Sequence, residues 1–263
     1  MPKPVRFGVV TPTLNAEAYL EHTLSSIWSQ RSAEIDVDHL IVDGGSTDRT
    51  LEIASEYPSR TVVASDGGMY EALNRGMSMI TGDIVGYING DDEIAPGGLA
   101  AIADVFRRRP DVQWVCGTVE YLDGDGRTIG RLRPVSLSIR SYVGLGWSCI
   151  PQQTVWCRHD FFKRVGPFDA AYRNCGDYEW YVRALRLSPV HMMRRTLGRF
   201  RLHPAQISLD TENLERESRL IQERNGGGTF SSYTWGRLLS LRLNARNPNF
   251  FVGKKTGRLK FKI

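Results

Sequence analysis

Residues 83–98 read DIVGYINGDDEIAPGG. Ile84–Ile88 is a short apolar run bounded by polar residues, which predicts a buried strand. Two adjacent carboxylates, Asp91 and Asp92, follow where that strand stops, and Pro96-Gly97-Gly98 breaks the chain. Three readings of the pair are open at this point: a metal site, an acid/base pair, or the polar start of a helix near Pro96.

The same punctuation recurs upstream. Val5–Thr11, Val37–Val42 and Thr61–Ala64 read as strands. Between them, Leu20, Leu24, Ile27 and Trp28 follow a helical period, with Asn15 as a candidate cap; Ser46 or Thr47 is placed to cap the next helix. Gly68–Ile80 reads as a third helix, with Tyr70, Leu73, Met77 and Ile80 on one face. Strands alternating with helices predict an α/β fold with a parallel sheet covered on both sides. Ligands bind such sheets beyond the carboxyl ends of the strands. That puts TPTLN (11–15), DGGSTD (43–48), SDGG (65–68) and NGDD (89–92) along one edge.

Beyond residue 98 the pattern changes. Val112–Gly117 reads as a strand, Val119–Leu132 as a hairpin around an Asp-Gly turn, and Thr154–Arg158 as a further strand. Asp160–Val165 and Asp177–Leu187 read as helices, and Thr196–Leu202 as a strand. This mixed half would shape an acceptor side while the first half holds a nucleotide. The division expected is a domain over 1–208, with halves 1–98 and 99–208, and a basic, mostly helical extension over 209–263. A helix at Tyr233–Arg246 carries Trp235, Leu238, Leu239 and Leu243, but Arg242 and Arg246 interrupt the stripe.

Composition sets outer limits. The chain has 263 residues, 41% hydrophobic and 24% charged, as in an ordinary globular protein with a sizeable core. No apolar run approaches the ~20 residues of a membrane span, and the N-terminus lacks a secretory pattern. Cys116, Cys149, Cys157 and Cys175 show no C-x-x-C spacing, so reduced thiols and a cytoplasmic location are expected. The net charge of +5 is unevenly spread: residues 224–263 hold nine Lys/Arg and no acid, leaving −4 on the rest. Such a tail suits an anionic membrane face, an acidic neighbour or nucleic acid, or is simply a solvated terminus.

Several polar residues suit chemistry. A hard cation such as Mg²⁺ or Mn²⁺ takes one or two carboxylates and completes its shell with phosphate oxygens. Asp92, read as nearer the open side, would bind it, and Asp91 would accept from a ribose. Asp43 ends the strand HLIVD beside two glycines, where it could hold a base edge or simply form a turn. Thr11, Thr13 and Asn15 could touch the same base or cap a helix. Asp177 could be a general base on a sugar hydroxyl or a helix cap, with Glu179 as its rival. His203, before a proline, is a ligand or a structural histidine.

VVTPTLNAEAYLEHTLSSIWSQ, IVDGGSTDRTLEI, SDGGMYEALNRGMSMITGDIVGYINGDD, PQQTVWCRHDFFKRVGPFD, YRNCGDYEWYVRA and FRLHPAQIS together resemble the inverting nucleotide-sugar glycosyltransferases of family 2, with the GT-A fold. The nearest likeness is to bacterial members that build exopolysaccharide or lipopolysaccharide. The resemblance spans roughly residues 5–208 and leaves the extension outside. It implies a nucleotide pocket lined by Thr11, Thr13 and Asn15, with Asp43 on the base and Asp66 and Asn74 nearby. It implies Asp91 and Asp92 at the metal, His203 completing that site, and Asp177 as base. UDP is the first carrier implied, with GDP and dTDP left open, and Mn²⁺ or Mg²⁺ is the cofactor. The acceptor implied is a saccharide or lipid-linked saccharide, without nucleic acid, at the inner face of the plasma membrane. Asn89 stands where the family often has Asp, Gly176 where it often has an acid, and Gln152-Gln153 where it often has His-Gln. A silent sugar-nucleotide-binding module on the same fold is the alternative, against which Asp92, Asp177 and His203 argue. A pyrophosphorylase would need a glycine-rich basic loop after the first strand, and TPTLNAEAYLE has neither glycine nor Lys/Arg.

Overall fold

The first half runs β1 (Val5–Thr13), α1 (Leu20–Trp28), β2 (Ile35–Asp43), α2 (Thr50–Ser55), β3 (Arg60–Val63), α3 (Met69–Met79) and β4 (Ile84–Tyr87). The second half adds β5 (Glu93–Ile94), α4 (Gly98–Arg108), β6 (Trp114–Leu122), β7 (Thr128–Leu132), α5 (Ile139–Leu145) and β8 (Trp156–Arg158). It continues with α6 (His159–Val165), α7 (Gly176–Leu187), β9 (His191–Arg201), α8 (Thr211–Arg224) and α9 (Phe230–Arg246). The computed structural model describes residues 3–64 and 67–248.

All strands join one sheet in the order β3-β2-β1-β4-β8-β6-β9-β5, with β7 paired to β6. The β3-β2-β1-β4 segment is parallel, as the alternation of strands and helices predicts. From β8 onward the pairing is mixed: β8 is antiparallel to β4 and β6, while β9 is parallel to β6 and antiparallel to β5. Alternate side chains feed two cores. Phe7 and Val9 of β1 pack with Ile27, Leu99, Ile102 and Trp156 on one face. Val10 packs on the other face with Leu73, Trp114, Phe161 and Trp180. That second core takes in Ile221 of α8 and Leu239 and Leu243 of α9, so both C-terminal helices are seated on the body rather than solvated.

Local chemistry moves several boundaries. Asn15 does not cap α1: it sits at φ 50°, and its Oδ1 accepts from the Thr47 N–H at 2.9 Å. Neither Ser46 nor Thr47 caps α2; Asp48 Oδ1 accepts from the Thr50 N–H at 3.0 Å instead. The strand at Val112–Gly117 and the first arm of the hairpin are one element, β6, running through Gly117. A Cβ at Gly117 would lie 2.5 Å from Leu197 Cγ, so the glycine admits Leu197 of β9 against an unbroken strand.

Helices α5 and α9 cross with their backbones touching. A Cβ on Gly144 would lie 1.8 Å from the Ser232 carbonyl oxygen, and one on Gly236 would lie 2.1 Å from the Gly144 carbonyl oxygen. Beyond the end of α9, the Asn247 amide accepts from the Arg133 N–H at 2.7 Å and donates to the Arg133 carbonyl at 3.0 Å. Gly236→Ala should therefore destabilise despite the better helix propensity of Ala. Overpacking of about 3 kcal/mol against a propensity gain of about 1 leaves a net loss of about 2 kcal/mol. Urea denaturation checks this, with Gly228→Ala, which meets nothing within 4 Å, as the unaffected control.

Candidate active site

The carboxyl ends of the parallel strands converge. Thr13 and Asp43 are register partners on β1 and β2, and the Thr13 hydroxyl donates to Asp43 Oδ2 at 2.9 Å. The same oxygen accepts from the Ser46 hydroxyl, and Oδ1 accepts from the Gly45 and Ser46 N–H groups at 3.0 and 2.8 Å. Asp43 thus organises the turn that follows it. Asn15 joins this turn through Thr47, and the Ser46 hydroxyl accepts from the Asn15 N–H at 2.8 Å. Thr11 is fully buried, and its hydroxyl meets His39 Nε2 at 2.9 Å. Burial pushes the His39 imidazole down to about 3, so it stays neutral. Asp66 lies outside the described residues. Asn74 holds the segment after α6: its amide donates to the Phe168 carbonyl and accepts from the Phe168 N–H, both at 2.8 Å.

The acidic pair divides by exposure, in the opposite sense to the sequence expectation. Asp92 is 1% exposed, while the Asp91 side chain is 27% exposed and meets His203 Nε2 at 2.8 Å. Asp92 turns into the protein: Oδ2 accepts from Gln153 Nε2 at 2.8 Å and Oδ1 from the Arg201 N–H at 3.1 Å. Burial, then the neighbouring Asp91 carboxylate, pushes its carboxyl well above the usual range. Asp91, not Asp92, is the carboxylate on the open side. Nor does the pair begin a helix, since α4 starts at Gly98. Asn89, which departs from the family pattern, makes a long 3.5 Å contact to Asp92 Oδ2 and so donates where an Asp would repel. Its own Oδ1 is buried without a protein partner among the described residues. His203 packs on the Tyr19 ring at 4.9 Å, and Arg201, 2% exposed, lies over the same ring at 5.0 Å and pairs with Glu93.

Among the described residues, no three His, Cys, Asp or Glu side chains converge as a ready metal cage. The expected trio of Asp91, Asp92 and His203 reduces to a touching pair, because Asp92 is committed to Gln153 and Arg201. A carboxylate oxygen and an imidazole nitrogen suit Mn²⁺ or Mg²⁺ when phosphate oxygens supply the remaining ligands. The residues present fit such an ion in that form.

Asp177 stands in the first turn of α7. Its Oδ1 accepts from the Tyr178 N–H at 2.7 Å and lies 3.4 Å from the Tyr70 hydroxyl. Tyr70 in turn accepts from the Asp177 N–H at 3.1 Å. Burial raises the Asp177 carboxyl to about 6, against the lowering effect of the Tyr178 and Tyr70 hydrogen bonds. Glu179 is bound by Arg183 at 2.8 Å, and Arg183 also donates to the Val165 and Pro167 carbonyls. That clamp leaves Asp177 as the carboxylate available for chemistry. The missing acid at Gly176 has a steric reason: a Cβ there would lie 2.7 Å from the Tyr70 ring. The rings of Tyr87, at the end of the strand that leads to the acidic pair, and of Tyr70, which touches Asp177, both pack on Phe168 at 5.6 and 5.7 Å, and burial, then Asp177 and Asp92, pushes the Tyr87 phenol up.

Glu217 of α8 lies outside every motif the sequence offers, yet it holds the loop that presents Asp177. It is 4% exposed. Its Oε1 accepts from the Arg173 N–H and its Oε2 from the Asn174 and Cys175 N–H groups, each at 2.9 Å. Successive amides of this kind form a nest for an anion, and here the chain's own carboxylate fills it. No sequence signal marks Glu217. Tyr70 reads there only as part of an apolar helix face, and Gln153 only as the residue after Gln152, where the chain departs from the family's His-Gln.

The sequence matches the model of glycosyl transferase family 2 over residues 8–165. A PGL/p-HBAD biosynthesis glycosyltransferase of Mycobacterium tuberculosis is 29% identical over 184 residues, covering 67% of this chain and 68% of its own length. An uncharacterized glycosyltransferase of Nostoc sp. is 24% identical over 215 residues, covering 76% of this chain and 66% of its own. The 1–349 segment of S. aureus TarS, in complex with UDP-GlcNAc, matches with a TM-score of 0.65 at 16% identity, over 89% of this chain and 70% of that one. Glucosyl-3-phosphoglycerate synthase of M. tuberculosis, in complex with Mn²⁺, UDP and glucosyl-3-phosphoglycerate, matches with a TM-score of 0.57 at 20% identity, over 85% and 80%. These structures share the GT-A fold with the chain, which spans 39% of a longer TarS chain. A family match over more than half of the residues, on a sheet that gathers the motifs at one edge, assigns the chain to glycosyl transferase family 2.

Proposed function

We propose that the protein is a metal-dependent, inverting glycosyltransferase that moves a sugar from a nucleotide-sugar, in the first instance a UDP-sugar, to a hydroxyl of a saccharide acceptor. The observation that carries this reading is the half-buried Asp177, raised to about 6 and held by Tyr70, whose ring shares Phe168 with Tyr87 at the end of the strand leading to the Asp91–His203 pair. The UDP-GlcNAc and UDP complexes of the TarS and synthase relatives support the choice of donor.

The turn organised by Asp43, Thr13 and Asn15 would receive the base and ribose, with Asp66 and Asn74 beside it. Asp91 and His203 would hold a divalent cation, with Asp92 fixing the loop that carries Asp91. Such an ion, when bound, would stabilise charge on the leaving diphosphate. Asp177 would take the proton from the acceptor hydroxyl as its oxygen attacks the anomeric carbon. A single displacement, in which the bond from the anomeric carbon to the diphosphate oxygen breaks as the new one forms, inverts that centre and needs no sugar covalently attached to the enzyme, unlike the retaining path of glycoside hydrolysis. An acceptor linked to a lipid would bring the protein to the cytoplasmic membrane face, in cell-surface polysaccharide synthesis.

Asp177→Asn should lower turnover by about 10²–10⁴-fold, the usual contribution of a general base, with donor binding retained in a thermal-shift assay. Unchanged turnover would remove Asp177 as base. In the parent protein, the rate should fall below a pH of about 6 as Asp177 is protonated. Stability runs the other way. The folded carboxyl is raised, so its ionisation penalises the native state above that value and not below the unfolded one. Asp177→Asn should therefore melt higher than the parent at pH 8, with the difference vanishing below a pH of about 4.

The two aspartates separate by a different pair of measurements. Asp91→Asn should keep the melting temperature but lose the Mn²⁺-dependent part of the UDP thermal shift. Asp92→Asn should lose about 1–3 kcal/mol of stability, because one of its buried donors is left without an acceptor. Glu217→Gln keeps one acceptor oxygen for the 173–175 amides and should lower kcat by roughly 10-fold or more at nearly constant donor KM, as misplacement of a catalytic group does. It should also move the acidic limb of the rate profile to lower pH, since the Glu217 charge raises Asp177. A variant that changes only stability would leave that limb in place.

A further inference from the structure

The outward face of α9 exposes several large apolar side chains among basic and polar ones, although the helix is already buried on its inner side. Ser232, Gly236, Leu239 and Leu243 face the body. Phe230 is 87% exposed and Leu241 64%, with Leu238 and Trp235 also exposed. These large apolar side chains stand among the exposed Ser231, Thr234, Arg237, Arg242 and Arg246, the mixture of apolar and basic groups that suits an interface between water and hydrocarbon. Along its flank lie two adjoining clefts of about 370 and 580 Å³ that share Ser136 and Arg242. Arg133, Arg140, Arg194, Arg242 and Arg246 line them. Among the described residues none of these five forms an ion pair with Asp or Glu.

We infer that this face seats the protein on an anionic bilayer surface, with the exposed α9 side chains in the headgroup–acyl boundary and the arginine clefts on lipid phosphates. The inference rests on the transferase reading only in its choice of a lipid-linked acceptor. Charge selects the occupant. A second copy across a two-fold axis would set this face against itself, arginine against arginine. The remaining residues of the chain, 249–263, carry five Lys/Arg and no acid, so they repeat the charge rather than neutralise it. Nucleic acid would satisfy the arginines but offers nothing to Leu238 and Leu241. A bilayer with anionic headgroups satisfies both. Among the described residues no helix is long and apolar enough to cross a membrane, so the attachment is peripheral.

The test is co-sedimentation of the full chain with extruded phosphatidylcholine vesicles, with and without phosphatidylglycerol. Binding should require phosphatidylglycerol and weaken at molar salt. Arg242→Ala with Arg246→Ala should lower the partition coefficient roughly 30-fold, two basic side chains near an anionic leaflet. Leu238→Ser with Leu241→Ser should also weaken it. Far-UV circular dichroism and melting should be unchanged, because all four side chains face solvent. Inorganic phosphate should not displace the chain; displacement would make the clefts a free-phosphate site and overturn the inference. Equal sedimentation with both vesicle types, or no effect of either double variant, would also overturn it. So would binding to duplex DNA that is as tight and insensitive to the leucine changes. Nucleotide release from a UDP-sugar, measured without vesicles, should be the same in both variants. Its absence in the parent protein would count against the transferase reading and leave the membrane result standing.

Discussion

The buried carboxylate of Asp92 is the constraint around which the site is arranged. It joins three segments far apart in sequence: the loop after β4, the turn at Gln153 and the end of β9. Each brings a donor, so the acid is satisfied where an unpaired one would be costly. The Thr23 hydroxyl adds a fourth tie by donating to the Asp92 carbonyl at 2.7 Å. Because Asp92 is turned inward, its neighbour Asp91 is left facing out, toward His203. The open side of the site therefore owes its accessible carboxylate to the one that is hidden.

A second polar centre answers the first across the buried Tyr87. Tyr70 belongs to the nucleotide half by sequence and touches Asp177 of the other half. The Tyr70 ring excludes any side chain at Gly176, while the Arg183 clamp removes Glu179 from use. What results is a single carboxylate with a raised proton affinity in a wall of rings. The contrast with Asp92 is physical. Asp92 has donors on both oxygens from separate chain segments and serves as a fastener. The side-chain hydrogen bonds of Asp177 fall on Oδ1, leaving Oδ2 without a protein partner among the described residues.

Much of the fold was legible because periodicity and punctuation repeat. Four strands separated by helices could be placed from Val5 to Ile88, since each apolar run ends at a polar or glycine signal, even the largely exposed β3. The mixed half was less legible. β6 passes through Gly117 without stopping, and only Leu197, eighty residues on, explains why. In the site, Asp43 and Asp177 could be named from strand-end and helix-start positions. Which of Asp91 and Asp92 faces out could not, because irregular backbone has no period to assign a face. Asn15 and Ser46 read as caps because local sequence cannot reveal a bond between two loops. Glu217 was invisible for the same reason, more strongly: its partners lie about forty residues upstream and are backbone amides, which leave no mark in sequence.

The carboxylate of Glu217 in its nest also fixes when the site can exist. The loop at 173–175 emerges during synthesis before α8 does, and its three amides have no acceptor until α8 folds back over them. Residues 8–165, which carry the family likeness, contain neither Asp177 nor the helix that steadies it. A nascent chain can thus pair β1 to β4 well before Asp177 and the helix that steadies it have emerged.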